Sequence, residues 1–150
     1  MKMSITFDGF EKLAAEIDRQ GQELKPAVNE ALEETQKYIQ QNVESASEPY
    51  KSGGQKGYAK GNLADAIITD PKIEWTGDVG TVGVGFSSNK DHKGFLHSIM
   101  VMYGVPAHGK FNRGYAKDAK VYNAIRGTRT KKEIERIQKE IMEKYLKMGR

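Results

Sequence analysis

Apolar and polar residues alternate at the start of the chain. Over residues 2–7, Met3, Ile5 and Phe7 lie on one side and the residues between them are polar. A period of two is typical of a half-buried strand, so we predict a short strand here.

The spacing then changes to that of a helix. Apolar residues recur every three or four positions up to Val43, with interruptions at Gly21 and Pro26. Because proline is tolerated in the first turn of a helix but not deep inside one, the pattern predicts a short helix over 9–20 and a long helix over about 24–45.

The middle of the chain is apolar in segments of strand length. Residues 62–76, broken at Asp70-Pro71, predict two short strands or one bent strand. Residues 95–103 place Phe95, Ile99 and Val101 on one side, which predicts another strand.

The stretch GDVGTVGVGF, residues 77–86, raises the question of a phosphate-binding loop. Val82, Val84 and Phe86 alternate with small residues, and the turn that follows carries no lysine-serine or lysine-threonine pair. A phosphate loop needs that pair and a following helix. We therefore predict a central strand, in which Gly83 and its neighbour Gly85 let the long helix approach closely.

The last third of the chain is basic. Residues 105–129 predict a basic, glycine-containing loop with a short turn of helix around 118–125. Thr130 and Glu133 have the spacing of a capping box, and the apolar positions that follow predict an amphipathic C-terminal helix. Residues 1–150 are then one α+β domain, a small antiparallel sheet of about four strands packed against the long N-terminal helix and the C-terminal helix.

A polar segment, residues 45–61, interrupts this pattern. It is rich in Gly, Ser and Lys and lacks periodicity, so we expect a mobile loop that is either an ordinary surface loop or a segment that orders on a partner. Its candidate assembly residues are Tyr50, Lys51, Lys56, Tyr58 and Lys60.

Charge is unevenly distributed along the 150 residues. Residues 1–48 hold 5 Lys/Arg against 10 Asp/Glu, whereas residues 105–150 hold 13 against 5. Acidic and basic parts can complement each other within one molecule, between copies, or through another partner. The chain has no cysteine, and its first 20 residues lack the apolar run of a signal peptide, so we expect neither disulfides nor a membrane partner.

The usual signatures of catalysis are missing from the sequence. His92, His97 and His108 do not have metal-ligand spacing, and no G-x-S-x-G or H-E-x-x-H motif is present. We therefore expect no catalytic residues, no metal and no cofactor, and interpret the protein as a non-enzyme.

The basic segment is the stronger functional candidate. Its cations are interleaved with Phe111, Tyr115 and Tyr122, a combination that suits either a nucleic-acid backbone with stacked bases or an acidic protein surface. The candidate interaction surface consists of Lys110, Arg113, Lys117, Lys120, Arg126 and Arg129. A basic nucleic-acid-binding module using residues 105–132 is the alternative function.

Three short motifs resemble one family. Gly9-Phe10-Glu11-Lys12-Leu13 resembles a G-[aliphatic]-x-x-L opening, residues 60–67 (KGNLADAI) resemble a T-G-N-L-x-x-S-I segment, and Met102-Tyr103-Gly104 resembles an E-[YF]-G corner. Together they are similar to the tail-component family of long-tailed bacteriophages, the small head–tail joining or tail-completion proteins. Met102 departs from the family's usual Glu, and residues 120–122 replace its Pro-Phe step.

The resemblance implies a virion structural protein of a phage or prophage, made in the host bacterial cytoplasm. It implies assembly with itself, as a possible hexameric ring, between the connector and tail-tube proteins, with DNA passing through the lumen.

Overall fold

The computed structural model describes residues 2–6, 11–19, 24–51, 62–70, 72–77, 79–107, 114 and 116–148. Their elements, in chain order, are β1 (Lys2–Thr6), α1 (Glu11–Arg19), α2 (Leu24–Ser47), a 3₁₀ turn (Glu48–Tyr50), α3 (Asn62–Asp65), β2 (Ile73–Thr76), β3 (Val79–Gly85), α4 (His92–Tyr103), α5 (Ala119–Arg126) and α6 (Thr128–Met148). The α+β class is as predicted, but the helices dominate.

The sheet is antiparallel, with β3 between β1 and β2. Its register pairs Ile5 with Val82 and Ile73 with Val82 on the two sides of the central strand. The glycine-rich stretch is therefore a central strand, as its period of two predicts. The described residues contain a sheet of three strands, so the expected number of about four is not confirmed.

The segment that we predicted as a further strand, residues 95–103, belongs to the helix α4. Residues 95–103 were expected to be extended, but Asp91 accepts a hydrogen bond from the Gly94 amide at 2.6 Å and so caps a helix that begins at His92. Its buried positions, Gly94, Ser98, Val101 and Met102, have helical spacing. A short apolar run fits both periods, and periodicity alone does not separate them.

The segment expected as a strand before Asp70 divides into two parts. Residues 62–65 form the short helix α3. Ile67 then pairs with Phe86 in an isolated bridge, with the Ile68 amide donating to the Gly85 carbonyl at 2.8 Å. The chain thus lies beside the end of β3 for only about one residue pair.

Both expected loops are shorter than predicted. Within 45–61, α2 continues to Ser47 and the 3₁₀ turn follows directly, while residues 52–61 lie outside the described part. Within 105–129, α5 confirms the short turn of helix predicted around 118–125, and the start of α6 is also helical. Thr130 is inside α6 rather than at its cap, and its hydroxyl donates to the Asn123 carbonyl at 2.6 Å, which ties α6 to α5.

One main hydrophobic core lies between the sheet and the helices. It joins α2, β3, α4 and α5 through fully buried side chains such as Leu32, Ile39, Val84 and Phe86. A smaller cluster of Ala27 and Met142 joins α2 to α6. The long helix α2 is therefore the element that the rest of the fold packs around.

The glycine that α2 approaches is Gly80 rather than Gly83. A Cβ at Gly80 would lie 3.2 Å from Leu32 Cδ1, on the face where Val82 and Val84 are buried. Gly83 lies on the opposite face of β3, where it lines a small open cleft. The predicted close packing is real, but it occurs on the valine face of β3.

Candidate interaction surface

The predicted basic residues do not form one continuous loop. Lys110 and Arg113 lie outside the described residues. Lys117 precedes α5, Lys120 lies in its first turn and Arg126 in its last turn, while Arg129 lies in the first turn of α6. Lys117, Lys120 and Arg129 are exposed and Arg126 is half-buried.

Lys117 belongs to an aromatic cluster. Its ammonium lies 4.4 Å from the centre of the Tyr122 ring, and that ring meets Tyr103 edge-on with 6.0 Å between centroids. A cation this close to an aromatic face is attracted by the ring quadrupole. The cluster fixes one lysine of the basic segment beside α4.

The expected assembly residues divide into buried and exposed ones. Tyr50 is a core residue, only 3% exposed, and its hydroxyl donates to Asp118 Oδ2 at 2.5 Å. The expectation that Tyr50 belongs to an assembly loop is therefore wrong, because its ring is needed for packing. Lys51 is exposed and forms an ion pair with Glu48, and Lys56, Tyr58 and Lys60 lie outside the described residues.

Asp118 connects three elements at this point. It caps α5 by accepting from the Lys120 amide at 2.9 Å, accepts from Tyr50, and its own amide donates to the Val101 carbonyl at 2.8 Å. His97 packs edge-on against Tyr50, and burial lowers the pKa of its imidazole. These contacts fix the start of α5 against α4 and the end of α2.

The environment of His92 differs from that of His97. His92 is exposed at the start of α4, and His108 lies outside the described residues. Within the described ranges, no group of three or more His, Asp or Glu side chains is placed to hold a metal ion.

One face of α4 exposes large apolar side chains. Leu96 is 46% exposed, Met100 40% and Tyr103 45%, at helical spacings of four and three residues. We call these three residues the α4 stripe. Lys93 precedes Leu96 by one turn and is also exposed, so the stripe has a basic end near Lys93 and a basic side near Lys117.

Sequence reasoning missed this stripe because it interpreted residues 95–103 as a strand. In a strand Leu96 and Met100 share a face, but Tyr103 lies on the other. The signal that could have found the stripe is Asp91, a strong N-cap residue placed directly before an apolar run.

A groove of about 400 Å³ lies between α2 and α6. Its lining includes the half-buried side chains of Tyr38 and Ile137 and the three carboxylates Glu30, Glu34 and Glu140. We call it the α2–α6 groove. Its lining is more polar than apolar, and Lys37 adds one cation beside the three glutamates.

Glu30 links the acidic and basic parts of the chain within one molecule. It accepts hydrogen bonds from Lys144 Nζ at 2.6 Å and from the Tyr145 hydroxyl at 2.8 Å. The hydrogen bond from Lys144 has the larger effect on the pKa of Glu30, and both bonds lower it. Part of the charge asymmetry is therefore neutralised inside the fold, across α2 and α6.

A smaller cleft of about 160 Å³ lies on the open face of the sheet. Asp70, Lys72, Glu74 and Lys90 mix both signs of charge around it, with Gly83 at its base. This mixed character selects no ligand class.

No described helix has both the length and the apolar character needed to cross a bilayer. When the chain was compared with family models, with curated proteins and with solved structures, none of the three comparisons gave a match.

Proposed function

We propose that the protein is a non-enzymatic structural component of a phage or prophage particle that joins the head to the tail. In this role it assembles as a ring between the connector and the tail tube, and DNA passes through the lumen. The observation that carries the proposal is the α4 stripe, since a row of large exposed apolar side chains on a highly charged molecule marks a protein-binding surface.

The resembling segments support the proposal through their positions in the fold. Leu63, Ala66 and Ile67 of the G-N-L segment are buried in the main core. Gly104 of the tyrosine-glycine corner has φ 77°, a backbone conformation that favours glycine, and it ends α4 directly after the stripe. These segments therefore correspond to structural requirements of the fold.

A deletion experiment tests the proposal. In the strain that carries the gene, particles produced without it are expected to accumulate as separate filled heads and finished tails under negative-stain electron microscopy. Purified protein added to that lysate is expected to restore joined particles. Normal particles from the deletion strain would overturn the proposal.

The alternative is nucleic-acid binding by residues 105–132, favoured by the cation–π contact of Lys117 with Tyr122. Filter binding over a series of salt concentrations separates the two functions. Phosphate contacts give a steep fall of affinity with salt, with a log–log slope of about −0.9 per contact on duplex DNA. Weak, salt-insensitive binding would remove this alternative.

A further inference from the structure

We propose that the α4 stripe of one molecule docks into the α2–α6 groove of a second copy of the same chain. The proposal rests on the proposed function, since it names the surfaces through which the ring would form. Three observations carry it: the exposure of the stripe, the shape of the groove, and the opposite charges at their borders.

The stripe has the dimensions of a helix-in-groove contact. From Lys93 to Tyr103 the helix rises about 15 Å at 1.5 Å per residue, and Leu96 and Met100 lie between them on the same face. An amphipathic helix binds a groove through anchors at such spacings. Burying half-exposed Leu and Met side chains in a second protein provides the driving force.

The groove offers the complementary chemistry. Tyr38 and Ile137 are half-buried in its lining, so an apolar side chain placed against them would complete their burial. Three glutamates and one lysine, Lys37, line the groove, so acidic side chains are in excess there. Glu33, the exposed residue next to Glu34, has no ion-pair partner among the described residues.

Charge selects this pairing over a pairing of two stripes. The stripe is bordered by Lys93 and Lys117, so two stripes in contact would bring like charges together. The groove glutamates already pair with exposed cations, for example Glu34 with Lys37 at 2.7 Å. Because such surface pairs contribute little, a lysine of the incoming helix can join or replace them at low cost.

The two surfaces lie on different parts of the molecule. The stripe is on α4, which packs against α3 and α5, whereas the groove lies between α2 and α6. A contact between unlike surfaces is head-to-tail, and repeated head-to-tail contacts give a closed ring or an open chain.

Two variants test the inference, one with a disrupted stripe and one with a disrupted groove. One double variant, Leu96→Asp with Met100→Asp, disrupts the stripe, and a second, Glu34→Lys with Gln41→Lys, disrupts the groove. All four positions are exposed, so we expect both variants to fold. Circular dichroism will check this. Sedimentation velocity should show concentration-dependent association of the unmodified protein, weakened at least tenfold in each variant. A 1:1 mixture should form a dimer and nothing larger, because one stripe and one groove remain intact.

Two matched controls accompany these variants. Val79→Asp places the same charge at an exposed apolar position on β3, and Glu74→Lys reverses a charge on the open sheet face. Both should associate like the unmodified protein. An unmodified protein that stays monomeric at about 1 mM, controls that weaken association equally, or a mixture that fails to pair would each overturn the inference.

Cross-linking gives a second measurement that does not depend on affinity. The chain has no cysteine, so Met100→Cys and Gln41→Cys each introduce a single thiol. With a bifunctional maleimide, a mixture of the two should yield covalent dimers in several-fold excess over either variant alone. Equal yield when Val79→Cys replaces Met100→Cys would contradict the docking.

The particle assay separates this inference from the proposed function. Stripe-broken protein that stays monomeric yet restores head–tail joining would overturn the docking and leave the function standing. If the protein associates through the stripe and the groove but particles form normally without it, the proposed function is overturned and the docking stands.

Discussion

Gly85 shows how one residue position determines the local geometry of the sheet. Its φ is 89°, in the region that side chains rarely adopt, and a Cβ there would lie 2.9 Å from Ile125 Cδ1 on α5. Directly after it, Phe86 is fully buried. The glycine therefore both turns the end of β3 and leaves room for α5 to pack against it.

We predict that Gly85→Ala destabilises the protein by about 2–4 kcal/mol. About 1–2 kcal/mol comes from the left-handed backbone and the rest from crowding against Ile125. Gly77→Ala is the matched control, because Gly77 also has a positive φ, 62°, but nothing within 4 Å of its Cβ position. Urea unfolding midpoints measure the difference, and equal losses in the two variants would contradict the crowding argument.

A second prediction concerns Tyr50. Tyr50→Phe removes the hydroxyl that donates to Asp118 Oδ2, and a hydrogen bond to a charged group contributes about 1.5–3 kcal/mol. We expect a loss of this size in the free energy of unfolding, measured by urea titration. Tyr38→Phe, at a half-buried ring whose hydroxyl makes no such bond to any described side chain, should change stability by less than about 0.5 kcal/mol.

A double-mutant cycle checks the partner. Asp118→Asn keeps an equally good N-cap for α5 but removes the charge from the Tyr50 bond. If the bond is the cause, the losses from Tyr50→Phe and Asp118→Asn will not add. Additive losses would show that Tyr50 acts through packing alone.

At the scale of elements, α2 and α6 are held together by packing and by the hydrogen bonds that Glu30 accepts. Ala27 and Met142 are fully buried between them, and Glu30 accepts from both Lys144 and Tyr145 nearby. The lysine and the tyrosine hydroxyl favour the ionised carboxylate. This contact also fixes the border of the α2–α6 groove.

Acid should therefore loosen the α2–α6 contact. The pKa of Glu30 is lowered in the folded protein. Its contribution to the free energy of unfolding is therefore fully present above the unfolded pKa of about 4.3 and is lost as pH falls through the lower folded pKa. Since Glu30 remains about a third exposed, we expect this contribution to be only about 0.5–1 kcal/mol. Thermal melts of the unmodified protein and of Glu30→Gln should converge at low pH.

The matched control for that series is Glu143→Gln. Glu143 lies 4.0 Å from Lys139 on the exposed side of α6, a pair too long to contribute measurably. Its melts should follow those of the unmodified protein at every pH. A Glu143→Gln effect as large as that of Glu30→Gln would assign the acid sensitivity to net charge instead of to the contact.

At the scale of the whole molecule, basic and acidic surfaces lie apart. Lys93 and Lys117 border the α4 stripe, whereas glutamates border the α2–α6 groove. In the docking that we propose, such separation would steer two copies towards a head-to-tail encounter.

Self-association should depend on salt in a limited way. Screening shortens the reach of exposed charges to about 8 Å at 0.15 M salt and about 3 Å at 1 M, but the apolar contact of Leu96 and Met100 is not screened. We expect the dissociation constant from sedimentation to rise several-fold between 0.05 and 0.5 M NaCl and then level off. A constant that falls as salt rises would show that the borders repel rather than attract.

Several elements were predictable because their pattern is long or unambiguous. The helical period of α2 runs for more than six turns, and α6 likewise repeats over many residues. In β3, the alternation of valines with small residues excluded a phosphate loop and indicated a central strand. Long repeats average over local exceptions, and therefore the period remains readable.

The candidate surface could not be predicted in the same way. The apolar residues in 95–103 fit both the period of a strand and that of a helix. The N-cap at Asp91 and the packing of this segment against α3 and α5 favour the helix. Tyr50 was expected in a loop because its neighbours are polar, but burial depends on what packs against a ring and not on the residues beside it in sequence.

By itself, the sequence determined the α+β class, the two long helices, the central strand and the uneven charge, since each is a property of residue order along one element. Only the tertiary structure decided that α4 is a helix with Leu96 and Met100 exposed, and that an acidic groove lies between α2 and α6. A surface is made of residues that different elements bring together, so its composition depends on packing between elements that are distant in sequence.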